Sequence, residues 1–418
     1  MRKSPLRLPF CAKSAFGYFL CSLVFSFSYS EGIQINFQSA RFAAMGHSGV
    51  GVAKDASCLY FNPAAAAMLY GNEIQFGSGY NKAYTNYKAA SPSVYSSLME
   101  NLPQTPAYLY SNFQPKRGAR VSFGLAITTP FGTSVKWENG WKGRFIVQEN
   151  LFNTFCIQPS MAFRINEHFA VGAGFMYYVG DLQFQKAIPQ TQIEGKEGWM
   201  SLKGQGNGKG VNLGLHYRMN ERFSVGLSYR SAVNWQIKTG KANFDVPLSI
   251  SILYPNSTFS TQIYLPSQLS LGLSFVPVPK VLILLNIVQN GWNKFDSTAF
   301  DFKDTLLQDI LYKRDYRNNL QISGGAEFRF LQTCFFRMGA FYYLSPFKDD
   351  FVTPEIPDAN KIGLTLGLGC NIKNAFSIDV TGQYDFTGDR TAQFKQVNFA
   401  GTYTSNGYKV GASVKYKF

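Results

Sequence analysis

From about Glu73 onward the chain alternates between apolar and polar positions with a period of two, the mark of strands whose successive side chains face opposite sides. The clearest case is Tyr408 to Phe418. Tyr408, Val410, Ala412, Val414, Tyr416 and Phe418 share one face, and Lys409, Gly411, Ser413, Lys415 and Lys417 share the other. The same alternation predicts strands over 73–87, 107–114, 119–128, 151–164, 169–186, 198–218 and 223–239. It continues over 260–276, 280–292, 319–330, 333–344, 361–372, 376–386 and 408–418. The connections after every second strand are tight, as at Asn166 to His168 and Asn220 to Arg222. The intervening ones are long, including 88–106, 129–150, 240–259, 293–318, 345–360 and 387–407. Short turns on one side and long loops on the other predict an all-β fold, a transmembrane antiparallel β-barrel of about 14 strands with apolar residues facing lipid. Residues 73–418 form this barrel, with both of its ends on the periplasmic side.

Residues 31–72 do not alternate. Gly46, Gly49 and Gly51 and the run Ala64 to Ala67 are interspersed with Ile33, Ile35, Phe37, Phe42, Met45, Val50, Leu59 and Phe61. That apolar content favours burial over disorder. A barrel beyond about eight strands has a lumen that its own side chains do not fill. The segment is therefore expected to be an N-terminal hatch, or plug, inside the lumen. Upstream, Arg2, Lys3, Arg7 and Lys13 precede the apolar run Ala15 to Phe27 and the small residues Ser28 and Ser30. Residues 1–30 read as a secretory signal peptide, cleaved on export. After it no stretch approaches the ~20 apolar residues of a membrane-spanning helix.

Charged residues make up only 16% of the chain, against about 25% for soluble proteins, and aromatic residues another 16%. A wall that turns half of each strand to lipid accounts for that deficit. Net charge is +15, and the leader's four cations are only a small part of it. The excess suits anionic lipid headgroups or an anionic ligand. Export excludes nucleic acid as a partner. Cys58, Cys156, Cys334 and Cys370 are widely separated and make no metal-binding spacing. They read as isolated small apolar residues, with any disulfide pairing left open.

Several motifs are more specific. Gln38-Ser39-Ala40-Arg41, Gly46, Ala53-Lys54-Asp55-Ala56-Ser57, Asn62-Pro63-Ala64 and Met68 resemble the hatch of the FadL family of outer-membrane transporters. The resemblance continues in Trp141-Lys142-Gly143-Arg144-Phe145, Gln158 to Phe163, Ala170 to Gly174, Gly324 to Phe328 and the aromatic terminus. It implies localisation in the outer membrane of a Gram-negative-type bacterium, with long-chain fatty acids or other hydrophobic molecules as cargo. It also implies capture at an extracellular apolar groove, transfer to a lumenal pocket, and sideways release through a gap near the third strand. Membrane lipids, and the barrel assembly machinery acting on Phe418, are the other partners it implies.

On this reading Asn62, Pro63 and Ala64 supply a turn and hydrogen bonds to a moving hatch. Thr129, Pro130, Phe131 and Gly132 mark either the gap or simply the end of the third strand, since Pro cannot donate to a ladder and Gly weakens one. The apolar loop 246–254, with Leu248, Ile250 and Ile252, is either one wall of the groove or a strand extension. Phe42, Met45 and Phe61 are apolar ligand contacts from the hatch. The resemblance places a basic pocket residue at Lys186 and another near Lys313, Arg314 and Arg317. Arg317 is the preferred candidate there, and Lys313 and Arg314 are taken as solvated.

Nothing points to catalysis. His47, His168 and His216 lack a serine and an acid to complete a triad. The glycine-rich run Gly204 to Gly210 lacks the Lys-Ser/Thr ending of a phosphate loop and reads as a flexible strand edge. No cofactor and no metal are expected. The competing readings are a diffusion porin for small polar solutes and a structural or adhesive barrel.

Overall fold

The computed structural model describes residues 33–100, 102–189, 197–373 and 375–418; the leader expected at 1–30 lies outside them. Twenty-one strands are described. The first group is β1 (Glu73–Ala89), β2 (Ser96–Glu100), β3 (Ala107–Phe113), β4 (Val121–Thr128), β5 (Gly132–Trp137), β6 (Glu149–Arg164) and β7 (Phe169–Ala187). Next come β8 (Trp199–Arg218), β9 (Phe223–Arg230), β10 (Val233–Asp245), β11 (Ser257–Leu265), β12 (Ser267–Val278), β13 (Val281–Gly291) and β14 (Ser297–Phe302). The last are β15 (Ile310–Lys313), β16 (Asn319–Arg329), β17 (Cys334–Tyr343), β18 (Lys361–Ile372), β19 (Phe376–Thr387), β20 (Arg390–Phe394) and β21 (Phe399–Lys417). Together they close into a fourteen-strand antiparallel barrel. Several staves are interrupted, so that β4 with β5, or β9 with β10, count as one. The seam is β1 against β21, from Glu73 opposite Lys417 to Ala89 opposite Gly401.

The two faces separate as the alternation predicts. Leu364, Leu366 and Leu368 of β18 and Leu269, Leu271 and Leu273 of β12 are exposed on the outside, where lipid covers them. Thr365, Asp379, Gln383, Lys409 and Ser413 are buried on the inside.

Much of what the sequence left as long loops is strand. β2, β5, β14, β15 and β20 extend the wall, and β21 begins at Phe399 rather than near Tyr408. Most outward residues of these extensions, such as Thr402, Thr404 and Asn406, are polar, with Leu98 and Leu311 as exceptions. They stand clear of the hydrocarbon, so the apolar alternation that identifies a membrane strand is missing. Gly204 to Gly210 is not a flexible edge. It lies inside β8 and pairs in unbroken register with Leu182 to Met176 of β7. Cys334 and Cys370 are not isolated either: they face each other across β17 and β18 and form a disulfide. Cys58 and Cys156 are buried free thiols.

Residues 33–72 lie inside the barrel and are almost entirely buried. They form two single-turn helices, α1 (Ala40–Ala43) and α2 (Cys58–Phe61), and a 3₁₀ turn Pro63–Met68. Helices this short have no stability of their own, so packing against the wall holds them. The wall makes room with glycine. A Cβ at Gly325 would meet the Met45 backbone, and one at Gly172 would meet Pro63 and Ala64. On the inner segment Gly46 has φ +66°, and a Cβ there would lie 2.5 Å from the Ala340 carbonyl oxygen.

Candidate functional site

The third stave departs from regular pairing where Pro130 interrupts it. β3 and β4 are in register from Phe113 opposite Phe123 to Tyr108 opposite Thr128. Among the described residues the next strand pairings between these staves are Met99 with Trp137 and Glu100 with Lys136. Against β6 the stave stays paired but slips by one residue, from Thr128 opposite Cys156 to Gly132 opposite Asn153. The freed edge is taken up from within. The Ile35 amide donates to the Pro130 carbonyl at 2.9 Å, and the Gly132 amide donates to the Ile33 carbonyl at 2.8 Å. Gln34 and Phe131 form an antiparallel bridge, and Gln38 Nε2 donates to the Thr129 carbonyl at 3.2 Å. On the edge facing β3, residues 129–132 thus lose their backbone ladder partners and pair with the inner segment instead, while β6 still holds the other edge.

The rest of the inner segment is tied down by buried polar contacts. Arg41 Nη2 meets Glu327 Oε1 at 2.7 Å, and Arg41 Nη1 lies 3.6 Å from Asp55 Oδ2. The second Glu327 oxygen accepts from Arg337 Nε at 2.7 Å, and Arg337 Nη1 contacts Asp379 at 2.6 Å. Asn62 is fully buried. Its Nδ2 donates to the Val50 carbonyl at 3.1 Å and the Leu215 carbonyl at 2.9 Å, while its Oδ1 accepts from the Ala64 amide at 3.2 Å. Those bonds join both arms of the inner segment to β8. His47 Nε2 contacts Gln383 Oε1 at 2.8 Å, and burial pushes its imidazole pKa down to about 4 despite that bond.

The extracellular end is crowded with aromatic rings. Trp137 and Trp141 stack with centroids 4.2 Å apart, and Tyr87 packs edge-on to both. The loop after β17 folds inward over them, and its Pro354 carbonyl accepts from Trp137 Nε1 at 3.0 Å. Beside this plug of rings lies a pocket of about 600 Å³, within the usual size of small-molecule sites. Its walls include Leu253, Tyr254, Leu306, Ile310 and Val397, together with the buried Tyr312 and the part-buried Lys186. Lys186 Nζ donates to the Tyr312 hydroxyl at 3.4 Å.

The candidates picked from sequence are therefore dispersed over the molecule. Lys186 lines the outer pocket, but Arg317 is solvent-exposed and does not. Arg314 is the buried cation of that loop, ion-paired with Glu355 and hydrogen-bonded to Thr298 Oγ1 at 3.2 Å. The alternation across Arg314 to Arg317 does not show this, because Glu355 arrives from a loop distant in sequence. Loop 246–254 forms a 3₁₀ turn, Leu248–Leu253, rather than a strand extension. Leu248 and Ile252 project from it, 87% and 79% exposed, and Ile250 is half-buried. The loop between β7 and β8 lies partly outside the described residues. Phe42 and Phe61 pack edge-to-face at 5.2 Å inside the inner segment, and Met45 is fully buried against the wall glycines. Sequence reasoning missed Arg230 altogether. It closes the polar parity of β9 deep in the lumen, and that parity was its only signal.

Residues 21–418 match the family model described as outer membrane protein transport protein (OMPP1/FadL/TodX). The long-chain fatty acid transport protein of Salmonella typhi is 23% identical over 384 residues, covering 85% of this chain and 88% of the relative. That of Escherichia coli K12 is 22% identical over 401 residues, covering 87% and 89%. Among solved structures, a Pseudomonas aeruginosa FadL homologue superposes with a TM-score of 0.81 at 17% identity, covering 93% of this chain and all of that one. The Ralstonia pickettii toluene transporter TbuX gives 0.69 at 15% identity, covering 90% and 97%. These relatives are transporters, not enzymes. A model spanning nearly all of the chain, on a closed barrel with a lipid-facing belt, makes this protein a member of the FadL/TodX family of outer-membrane transport proteins.

Proposed function

We propose that the protein carries long-chain fatty acids, or similar hydrophobic molecules with one carboxylate, across the outer membrane and releases them sideways into the bilayer. Cargo settles first in the extracellular pocket, where Leu248 and Ile252 beside it offer an apolar landing surface. Lys186 in its wall meets the carboxylate. The inner segment acts as a hatch that denies a straight path to water, and Asn62 to Ala64 set its turn. Exit is between the second and third staves. The observation that carries this reading is the break in the wall at Thr129 to Gly132, covered from inside by Ile33 to Ile35. A diffusion porin has no use for a side opening, and a lumen filled by residues 33–72 does not suit an open pore.

Cross-linking tests it. Gln34 and Phe131 are bridge partners, and antiparallel partners lie about 4.5–5.5 Å apart at Cα, within disulfide reach. In a Cys58→Ala, Cys156→Ala background, Gln34→Cys with Phe131→Cys is expected to support fatty-acid uptake when reduced and to lose it when oxidised. Binding in detergent is expected to survive oxidation. Unchanged uptake by the oxidised protein refutes lateral release at this point.

A further inference from the structure

Among the described residues, the buried arginines of the lumen are neutralised by carboxylates, with one exception. Arg41 and Arg337 share Glu327, and Arg314 has Glu355. Arg230, the last residue of β9, points into the lumen, is only 6% exposed and has no acidic partner within ion-pair distance among the described residues. Its contacts are neutral. Nη1 donates to the Tyr60 carbonyl at 3.2 Å and to Gln158 Oε1 at 2.9 Å, and Nη2 reaches the Tyr178 hydroxyl only at 3.5 Å. The guanidinium also lies over the Tyr60 ring, 4.4 Å from its centroid. A guanidinium cannot shed its charge, so a buried one with no counter-ion is costly to hold unless something anionic visits it.

There is space for such a visitor. A cavity of about 50 Å³ opens beside Arg230, between the wall and the inner segment. Ser228, Gln268, Ser270 and Gln321 face it from the wall, His47 and Tyr60 from the inner segment, and no acidic side chain lines it. Its volume takes a head group of a few atoms and not an alkyl chain. Its position is equally telling. Gln34, which bridges Phe131 at the break in the third stave, also lines this cavity. Tyr178, which touches Arg230, packs against Phe131 with centroids 6.1 Å apart.

We propose that Arg230, with Tyr60, Ser228 and Gln268 around the cavity, is a second carboxylate site, separate from Lys186, that holds the cargo's head group just inside the lateral break. The inference rests on the cargo reading above and adds to it a defined stop on the inward route. The guanidinium supplies charge-assisted hydrogen bonds that a neutral head group cannot fully exploit. A carboxylate drawn to Arg230 also competes for the Nη1 contacts that now hold the Tyr60 carbonyl, so that occupancy of the site bears on the seating of α2.

The test compares dodecanoate with dodecanol for binding to the full protein in detergent, with acetate as a competitor. Wild type is expected to prefer dodecanoate. Arg230→Gln is expected to lower that preference roughly 10- to 100-fold while leaving dodecanol within about twofold, as loss of a charged hydrogen bond predicts. Arg230→Lys is expected to restore part of it. Acetate is expected to displace dodecanoate from wild type more effectively than from Arg230→Gln; equal displacement means that the site does not select carboxylates. An unchanged preference in Arg230→Gln overturns this site but not the cargo reading. Wild type that binds neither probe overturns both. Should Arg230→Gln fail to fold, carboxyl-labelled dodecanoate bound to Lys186→Ala protein decides by NMR. A bound carboxyl that stays ionised well below its free titration range supports the Arg230 site, and one that titrates as free ligand overturns it.

Discussion

Replacing Arg41 by Met tests how the inner segment is held. Arg41 links that segment to the wall through Glu327 at 2.7 Å, and all the charged groups of the cluster are buried. Removing it leaves Glu327 with Arg337 alone and takes away the Asp55 partner at 3.6 Å. Deleting one member of a buried ion pair costs about 3–5 kcal/mol, chiefly because the other charge stays buried without compensation. Arg337 still serves Glu327, so the lower end applies, and about 3 kcal/mol multiplies the unseated population roughly 10²-fold. The barrel ladder contains none of these contacts and is expected to stay closed. Cys58, a free thiol with no exposed surface in α2, reports the opening directly. With Cys156→Ala to remove the other free thiol, the rate of maleimide labelling at Cys58 is expected to rise by about that factor if it follows the open population. Adding Glu327→Gln to Arg41→Met is expected to recover part of the loss, because it removes one of the two carboxylates that Arg41 had neutralised. A labelling rate in Arg41→Met within roughly threefold of the parent refutes the reasoning: the cluster would then be incidental to seating.

Two further outcomes use the same reporter. Gly339→Ala puts a methyl group onto the Met45–Gly46 backbone and is expected to cost about 1–3 kcal/mol of seating, whereas Gly382→Ala meets nothing within 4 Å and is expected to label like the parent. His47 titrates near 4 when seated and near 6.5 when released, so the released state binds more protons between those values. Seating is therefore expected to be at full strength above about pH 6.5 and to weaken as pH falls toward 4, and the ratio of labelling rates between parent and His47→Gln should change only in that window.

The barrel was legible because lipid imposes alternation wherever it touches a strand, as at Leu364 to Leu368. Where the wall rises clear of lipid the rule lapses, which is why β2, β5, β14, β15 and β20 read as loops. Pro130 was visible as a break, but strand and gap could not be told apart until Ile33 to Ile35 were seen to occupy the freed edge. Asn62 was visible as a turn residue, yet its bond to Leu215 bridges 153 positions and has no local trace. Lys186 could be placed only through the family resemblance, at the end of a long strand. Arg317 is the candidate preferred from sequence and the structure reverses the choice, because a distant carboxylate, Glu355, decides which of Arg314 and Arg317 is buried. Arg230 shows the same limit from the other side: its significance is the lack of any nearby acid, and only three-dimensional neighbours reveal that.

The seam carries a consequence for assembly. The inner segment runs straight into β1, and Asn72 exchanges two backbone hydrogen bonds with Phe418, at 3.3 and 3.1 Å. Zipping β1 to β21 over the full 17 residues of β1 shuts the cylinder. Threading forty residues into a finished cylinder past the crowded rings at its mouth, or backward past its own anchor, is an uphill search. The order of events follows: the amino-terminal stretch must already be indoors when the first and last strands meet, so the final join of the wall is also the moment at which its contents are locked in.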